Sequence, residues 1–276
     1  MTTYIPLRVR LKNQLRLLLP KSLFTFINKV WISTFAKFFN VQDIVTKYTA
    51  EFVSKYPKVV QGGPFKGMLY VDQAVGSNYV HKLIGSYESI LHPYIESLRL
   101  KHFDTIIDIG AAEGYYLVGL GQMFSGSKLV GFEIEENGRQ LIKEMYEKNS
   151  LKNELVLEGE ANVNNVVPYI SGKTLLICDC EGGELDILNP IIEKAFSKID
   201  TAIIELHDFI RPGIKEALTS RFSETHNIKL IPFAMANPES FPFLASITNE
   251  NEQYELRRER GWQEQEWMIL ERKTTY

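Results

Sequence analysis

The sequence predicts an α/β fold in which a mostly parallel sheet of seven strands is covered by helices. From residue 103 onward, short apolar runs alternate with helical segments, as in parallel sheets with helical crossovers. A glycine-containing turn follows the first apolar run, and an acidic residue follows the second. The last apolar run, residues 266–271, comes after a long polar stretch, and we expect it to pair antiparallel to its neighbours.

The expected elements follow one another in a regular order. We expect strands at 104–109, 128–134, 153–158, 174–180, 201–207, 228–233 and 266–271, and helices at 114–123, 136–149, 163–170, 184–197 and 212–223. Earlier in the chain, residues 41–56 and 92–100 have a helical pattern, whereas residues 61–88 are rich in turn-forming residues. The polar stretch 235–265 is expected to be irregular, and its arginine run is interpreted as functional or as a solvated helical face.

The turn after the first strand has the pattern Asp108-x-Gly110-x-Ala112-x-Gly114. Glycines let a ligand approach the backbone, and the start of the following helix favours negative charge. A dinucleotide fingerprint has glycine where this chain has Ala112, and the carboxylate of Asp108 would repel a pyrophosphate. The turn therefore favours a different nucleotide ligand, with an ordinary strand–turn–helix as the alternative.

Glu133 ends the second strand, where a carboxylate is placed to bind both hydroxyls of a ribose. A ligand that carries adenosine together with an ammonium and a sulfonium group fits this arrangement, and the predicted cofactor is S-adenosylmethionine. At this point the sequence resembles the class I methyltransferases, which implies a Rossmann-like sheet of seven strands. In that family an acidic residue after the third strand approaches the adenine, and the matching residue here is Glu160, with Ala161 beside it as a further predicted cofactor contact.

The fourth strand and its loop carry a second resemblance. The segment 175–188 resembles the Asp-Val-Glu-Gly-Ala-Glu pattern of FkbM-type methyltransferases, with Cys180 and Gly183 as departures from that pattern. The resemblance covers about residues 103–210. It implies methylation of hydroxyl oxygens on sugars, polyketides or other metabolites.

Asp179 and Glu181 follow the fourth strand directly. Carboxyl ends of parallel strands open onto the ligand crevice, so we expect Asp179 beside the methyl donor and Glu181 at the start of the loop over it. The alternative is that Glu181 and Glu184 stabilise the first turn of a helix. The spacing of Asp179 and Glu181 permits a metal ion, but no third ligand stands out, so no metal ligand is assigned and the use of a metal stays open.

The fifth strand ends in Glu205-Leu206-His207-Asp208, and alternation places Glu205 and His207 on one face. We predict that His207 is the general base, because an alcohol must lose its proton on methylation and imidazole can take it near neutral pH. The alternative is a histidine that is hydrogen-bonded at the sheet edge. His226 is expected to cap or end a helix. Tyr87 and Glu88 could reach the cofactor from the turn-rich segment, and His81 and His92, which lie near that segment, are second-rank candidates for the base.

The net charge of −3 is unevenly distributed, because residues 1–42 contain seven Lys or Arg and no Asp or Glu. We expect a basic, amphipathic helical extension at 1–60, a lid or lead-in segment at 61–100 and the cofactor-binding domain at 101–276. The extension is interpreted as a contact for an anionic membrane surface or an acidic partner, or else as a cover for the domain or a homodimer contact. Two nearby cysteines and the lack of a secretory signal predict a cytoplasmic protein.

Together these observations predict an S-adenosylmethionine-dependent O-methyltransferase that acts on a hydroxyl of a small molecule or glycan. Three alternatives remain open, namely methylation of a carboxylate on a peptide or metabolite, a non-catalytic binding protein of the same fold, and a nicotinamide-dependent oxidoreductase. Ala112 and Asp108 weigh against the last of these. The acidic main body weighs against nucleic acid as the acceptor.

Overall fold

The computed structural model describes residues 41–189, 194–259 and 265–274, which fall into two compact units. One unit comprises residues 58–189, 194–234 and 265–274 and contains the sheet, and the other comprises residues 41–57 and 235–259. Residues 1–40 of the basic extension lie outside the described residues, so its proposed contacts and the predicted domain boundaries stay predictions. Within the described ranges, no helix has the length and apolar character needed to cross a membrane.

The sheet has seven strands. The second and third strands lie on one side of the first strand, and the later strands lie on its other side. The strands are β1 (Thr105–Ile109), β2 (Lys128–Phe132), β3 (Leu155–Glu158), β4 (Thr174–Cys178), β5 (Thr201–Leu206), β6 (His226–Pro232) and β7 (Glu266–Arg272). Their order is β3-β2-β1-β4-β5-β7-β6, and β7 pairs antiparallel with both β5 and β6. This confirms the predicted Rossmann-like sheet with an antiparallel last strand. The reversal between β1 and β4 opens a crevice at the carboxyl ends of the strands.

Ten helices are present in the described ranges. They are α1 (Val41–Lys55), α2 (Tyr79–Ile84), α3 (His92–Ser97), α4 (Tyr115–Met123), α5 (Glu136–Lys148), α6 (Val163–Val166), α7 (Glu184–Ile187), α8 (Ile214–Phe222), α9 (Pro242–Ala245) and α10 (Glu250–Arg257). Two expected helices are shorter than predicted. The one at 163–170 continues as a 3₁₀ turn that contains Pro168, and α7 ends three residues before Pro190. Proline and the residue before it both disfavour a continuing helix.

The two faces of the sheet differ in what they bury. One face carries an apolar core to which alternate strand residues such as Ile107, Leu176 and Ile204 contribute, and α8 packs on this core. Alternation places Asp108 and Glu205 on the opposite face. The carboxyl ends of the strands therefore bring acidic side chains to a single face.

The helical unit corrects the expectation for residues 235–265. Instead of being irregular, this stretch contains α9 and α10, and Asn249 caps α10 by accepting hydrogen bonds from two backbone N–H groups. Phe243 packs edge-on against Phe52 of α1, with ring centroids 5.0 Å apart. Arg257 is buried and donates to the carbonyl oxygen of Ala236 at 2.7 Å, so it is a structural residue of this unit rather than part of a solvated face.

His226 also differs from its expected place. It begins β6 rather than ending a helix, because α8 already ends at Phe222. The imidazole is buried, its Nε2 hydrogen-bonds with the carbonyl oxygen of Ile199 at 2.7 Å, and its Nδ1 hydrogen-bonds with the Thr225 hydroxyl at 2.8 Å. His226 therefore joins two elements of the sheet unit.

A buried ion pair fixes the turn-rich segment onto the glycine turn. Lys82 Nζ lies 2.5 Å from Glu113 Oε1, and both side chains are buried. Glu113 also accepts hydrogen bonds from the Tyr70 hydroxyl and from the backbone N–H of Val75. Burial alone would raise the pKa of Glu113, but the charge of Lys82 and these hydrogen bonds hold the pKa below its ordinary value.

We expect Lys82→Met to destabilise the sheet unit by about 3–5 kcal/mol, because it leaves the Glu113 carboxylate buried without its cation. Urea unfolding at neutral pH measures this change. Lys58→Met is the matched control: Lys58 pairs with Asp72 on the surface, and its loss should cost at most about 1 kcal/mol. Equal effects of the two substitutions would contradict the structural role of the buried pair.

Candidate cofactor and acceptor site

The glycine turn brings the end of β1 into close contact with the end of β4. Gly110 has a φ of +83°, and a Cβ added there would lie 1.8 Å from the carbonyl oxygen of Asp179. The Asp179 N–H in turn donates to the carbonyl oxygen of Ile109 at 2.9 Å. Only glycine fits at this position, because a side chain would push the two strand ends apart.

Asp108 is buried at the end of β1 and faces other acidic groups. Burial, together with the charges of Asp179 and Glu133, raises the pKa of Asp108 to about 8. A buried carboxylate surrounded by like charges is costly unless a cation comes close to it. The position therefore fits a positively charged ligand better than a pyrophosphate.

Glu133 lies just after β2 and is almost fully buried. Its Oε2 accepts from the backbone N–H of Ala112, and its Oε1 accepts from the N–H of Glu135, both at 2.8 Å. These bonds orient the carboxylate at the edge of the glycine turn, and each oxygen keeps a second lone pair for a hydroxyl. Gly138 leaves room for this arrangement, since a Cβ there would lie 2.7 Å from Glu133 Cγ.

The predicted adenine-side residues lie further along the sheet. Glu160 and Ala161 follow β3, which β2 and β1 separate from β4. The Glu160 side chain is exposed, and its carbonyl oxygen accepts from the Asn165 side chain at 2.9 Å. Ala161 packs against the apolar core. The structure places these residues at the same edge of the sheet as Glu133 but away from the acidic cluster described next.

The loop after β4 and the end of β5 meet around one imidazole. His207 Nε2 lies 3.4 Å from Asp179 Oδ1, 3.5 Å from Glu181 Oε2 and 3.8 Å from Glu205 Oε2. The predicted catalytic residues Asp179, Glu181 and His207 therefore come together. The His207 and Glu205 side chains are fully buried, whereas the Glu181 side chain is 71% exposed.

Glu184 fixes the orientation of this imidazole. Its Oε1 lies 2.6 Å from His207 Nδ1, and both side chains are fully buried. A carboxylate at this distance holds the proton on Nδ1, so the lone pair of Nε2 faces the other three carboxylates. The sequence did not reveal this role, because Glu184 and His207 lie on different elements 23 positions apart and neither forms a local motif with the other.

The charge of the cluster alters the chemistry of His207. Burial lowers its pKa, but the hydrogen bond with Glu184 and the charges of Glu184, Asp179 and Glu181 outweigh this effect, so the pKa is raised from its ordinary value. One ligand atom each from Asp179, Glu205 and His207 lies within 4.8 Å of the others. The arrangement can take up a proton, and its donor set is also one that can bind a cation.

Residues of the turn-rich segment border the glycine turn. Glu88 is buried, adopts a left-handed backbone conformation with a φ of 47°, and accepts a hydrogen bond from the hydroxyl of Tyr116 on α4. The Tyr87 ring packs edge-on against Tyr115, with centroids 5.3 Å apart. His92 Nε2 hydrogen-bonds with the Tyr87 carbonyl oxygen at 3.1 Å. These contacts give Tyr87, Glu88 and His92 structural roles around α4, and a contact between Tyr87 or Glu88 and the cofactor stays a prediction.

No protein-family model and no curated protein matches the chain. Its fold is similar to solved methyltransferases. These include a precorrin-6y C5,15-methyltransferase from Geobacter metallireducens. That match has a TM-score of 0.46 and 9% sequence identity, and it covers 73% of this chain and 92% of that protein. The O-methyltransferase TomG from Streptomyces achromogenes was solved in complex with S-adenosylmethionine. It matches with a TM-score of 0.42 and 8% sequence identity, and the match covers 68% of this chain and 88% of that protein. An rRNA methylase from Streptococcus thermophilus matches with a TM-score of 0.43 and 14% sequence identity, and the match covers 67% of this chain and 96% of that protein.

The class that fold and site define is a Rossmann-like α/β protein with an acidic crevice at the carboxyl ends of its strands. The similar solved structures act on different acceptors.

We expect Asp108→Asn to stabilise the ligand-free protein, with a gain that grows from pH 5 to pH 8. Because the pKa of Asp108 is raised when the protein is folded, wild type loses stability as pH rises from the unfolded pKa toward about 8. Asparagine cannot ionise and escapes this loss, so the gain should exceed about 1 kcal/mol at pH 8. Urea unfolding at several pH values measures it.

Asp104→Asn is the matched control with the opposite sign. The Asp104 carboxylate accepts from the Lys173 N–H, and this bond lowers its pKa, so its stabilising contribution is present at neutral pH and lost in acid. This substitution should destabilise the protein at pH 7. A gain of stability in Asp104→Asn, or a loss in Asp108→Asn, would be incompatible with the arrangement described.

Proposed function

We propose that this chain is an S-adenosylmethionine-dependent methyltransferase that methylates a hydroxyl oxygen of a small molecule or glycan. The single observation that carries the proposal is the crowding of Asp108, Glu133 and Asp179 around a glycine turn, where burial and like charges outweigh the charge of Lys82 and raise the pKa of Asp108. The ligand that fits must bring positive charge as well as a ribose.

The residues present fit this cofactor. Glu133 is held by two backbone N–H groups with lone pairs left for the ribose hydroxyls, and the carboxylates of Asp108 and Asp179 face the region where an ammonium and a sulfonium would be stabilised. Glu160 and Ala161 follow the next strand outward, where the adenine is expected. The same carboxylates would repel the negatively charged pyrophosphate of a nicotinamide dinucleotide, which disfavours that cofactor.

When bound, S-adenosylmethionine supplies an electrophilic methyl group: the acceptor oxygen forms the C–O bond as the C–S bond breaks, and the electron pair of that bond stays on sulfur. The chain aligns the acceptor and excludes water, which can account for roughly 7–11 kcal/mol of barrier lowering. The acceptor proton is removed at the cluster of Asp179, Glu181 and His207. Glu184 holds the His207 ring so that Nε2 faces this region.

A hydroxyl is favoured over a carboxylate as the acceptor by the charge around His207. Four carboxylates surround the imidazole, so a negatively charged acceptor would be repelled, whereas a neutral hydroxyl would not. A group that can take a proton is also needed only for the hydroxyl. The pattern from Asp179 to Glu184 further supports a place among the FkbM-type methyltransferases, whose acceptors are mostly hydroxyls.

Calorimetry tests the cofactor. S-adenosylmethionine and S-adenosylhomocysteine should bind to the full chain with saturable heat, and NADH should not. Glu133→Gln should weaken binding at least about tenfold, because it removes a charged hydrogen-bond acceptor for the ribose. The matched control is Glu135→Gln, an exposed acid two positions away, which should change the affinity less than about threefold. The proposal fails if NADH binds more tightly than S-adenosylmethionine, or if neither nucleoside binds.

A second experiment tests the acceptor class. With tritiated S-adenosylmethionine and a panel of sugars, glycosides, phenols and simple carboxylic acids, wild type should transfer methyl groups to hydroxyl acceptors. His207→Ala should slow the fastest of these reactions by about 10²–10⁴-fold while binding of the cofactor persists. Faster transfer to the carboxylic acids, with little effect of His207→Ala, would show that a carboxylate is the natural acceptor.

A further inference from the structure

We propose that Asp179, Glu205 and His207 form a binding site for a divalent transition-metal cation, with Glu184 as the residue that orients the imidazole ligand. The part that the cation plays in catalysis rests on the proposed function.

One nitrogen atom of the proposed site, His207 Nε2, is buried and receives no hydrogen bond from the described residues. The His207 side chain is fully buried, and among residues 41–189, 194–259 and 265–274 no hydrogen bond reaches its Nε2. Because Nδ1 is engaged by Glu184, Nε2 presents a lone pair to Asp179, Glu181 and Glu205. In the neutral imidazole this lone pair is aimed at carboxylates, which is repulsive. Either a proton on Nε2 or a cation between these atoms turns the contacts into attractions, so a metal ion and a proton compete for the same position.

The distances between the candidate ligand atoms are close to those around a bound metal ion. Bonds of about 2.0–2.2 Å in tetrahedral or octahedral geometry put adjacent ligand atoms roughly 2.8–3.6 Å apart. The two carboxylate oxygens lie 3.4 and 3.8 Å from Nε2, and all three atoms fall within 4.8 Å of one another. The distance from Nε2 to Asp179 Oδ1 lies within the expected range, and the distance from Nε2 to Glu205 Oε2 exceeds it by about 0.2 Å.

A buried carboxylate orients the imidazole that would bind the metal ion. A metal-bound histidine usually donates its other N–H to a carboxylate, which fixes the ring and raises its basicity. Glu184 Oε1 lies 2.6 Å from Nδ1 and is fully buried, so it meets this description. Glu184 is a positioning residue, because it acts on the ion only through His207.

The donor set indicates which cation fits. Two carboxylates favour Mg²⁺, Ca²⁺ or Mn²⁺, whereas an imidazole favours Zn²⁺, Fe²⁺ or other transition metals. Mn²⁺ and Zn²⁺ accept both ligand types. Three protein ligands leave coordination positions open, as in catalytic rather than structural sites.

An open position next to the cofactor crevice gives the cation a role in the proposed reaction. A hydroxyl bound to a dication loses its proton more readily, and its oxygen is held in place for attack. The lone pair of His207 Nε2 is then a ligand, so His207 no longer takes up the proton. The proton passes instead to Glu181, which is 71% exposed and leads to solvent.

The test starts from the full wild-type chain after chelator treatment. Titration with Mn²⁺ alone, followed by electron paramagnetic resonance, should show one saturable site. The signal of the bound ion should carry coupling to a ¹⁴N nucleus from His207, a signature that acidic side chains alone cannot give. No variant is needed for this measurement, so a folding defect cannot obscure it.

Matched variants separate a built site from general attraction to negative charge. Glu205→Gln and Asp179→Asn should weaken Mn²⁺ binding at least tenfold. Glu181→Gln removes the same charge at a similar distance from Nε2 and should weaken binding less than threefold. Glu184→Gln should weaken it about 10–100-fold although Glu184 is not a ligand.

Three outcomes overturn the proposal: no saturable binding of Mn²⁺ or Zn²⁺ to wild type, bound Mn²⁺ without ¹⁴N coupling, or equal weakening by Glu181→Gln and Glu205→Gln. Binding of S-adenosylmethionine to the chelator-treated protein is measured separately. If this nucleoside binds and the metals do not, the metal site is wrong and the proposed function stands; the reverse result would remove the proposed function and keep the site.

Discussion

The structure depends on how it accommodates negative charge at the carboxyl ends of its strands. Asp108, Asp179 and Glu205 come from three different strands or their loops, and strand alternation directs them to the same side of the sheet. The pKa of Asp108 is raised to about 8 because burial and the neighbouring carboxylates disfavour its charged form. Charge gathered at such cost is typical of functional sites, because a ligand of opposite sign recovers the energy on binding.

A second buried carboxylate shows the contrasting solution. Glu113 belongs to the same glycine turn, but Lys82 supplies its counter-charge and Tyr70 and Val75 supply hydrogen bonds. Its pKa is accordingly lowered, whereas that of Asp108 is raised. The chain therefore neutralises the acid that fixes the turn and leaves the acid that faces the crevice for a ligand to neutralise.

The cluster around His207 links the fold to the chemistry. The tight contact of Gly110 with Asp179 brings the ends of β1 and β4 together, and the neighbouring β5 brings Glu205 and His207 beside them. Glu184, from the loop and helix after β4, then sets the direction of the imidazole. The acidic crevice beside the glycine turn and the cluster around His207 therefore meet at Asp179, so a charged ligand at one would alter the electrostatics of the other.

The sequence by itself determined the parallel sheet, the antiparallel last strand, the glycine turn and the positions of Asp108, Glu133 and Asp179, because periodicity and strand ends are local properties of the chain. It failed for α9 and α10, for His226 and for Arg257, since these residues are defined by packing partners distant in sequence. Only the tertiary structure decided that Glu184 holds His207 and that Glu205 joins Asp179 around Nε2. The contacts of Glu184 and Asp179 with His207 cross between elements, so no spacing along the chain encodes them, whereas alternation along β5 already placed Glu205 and His207 on one face.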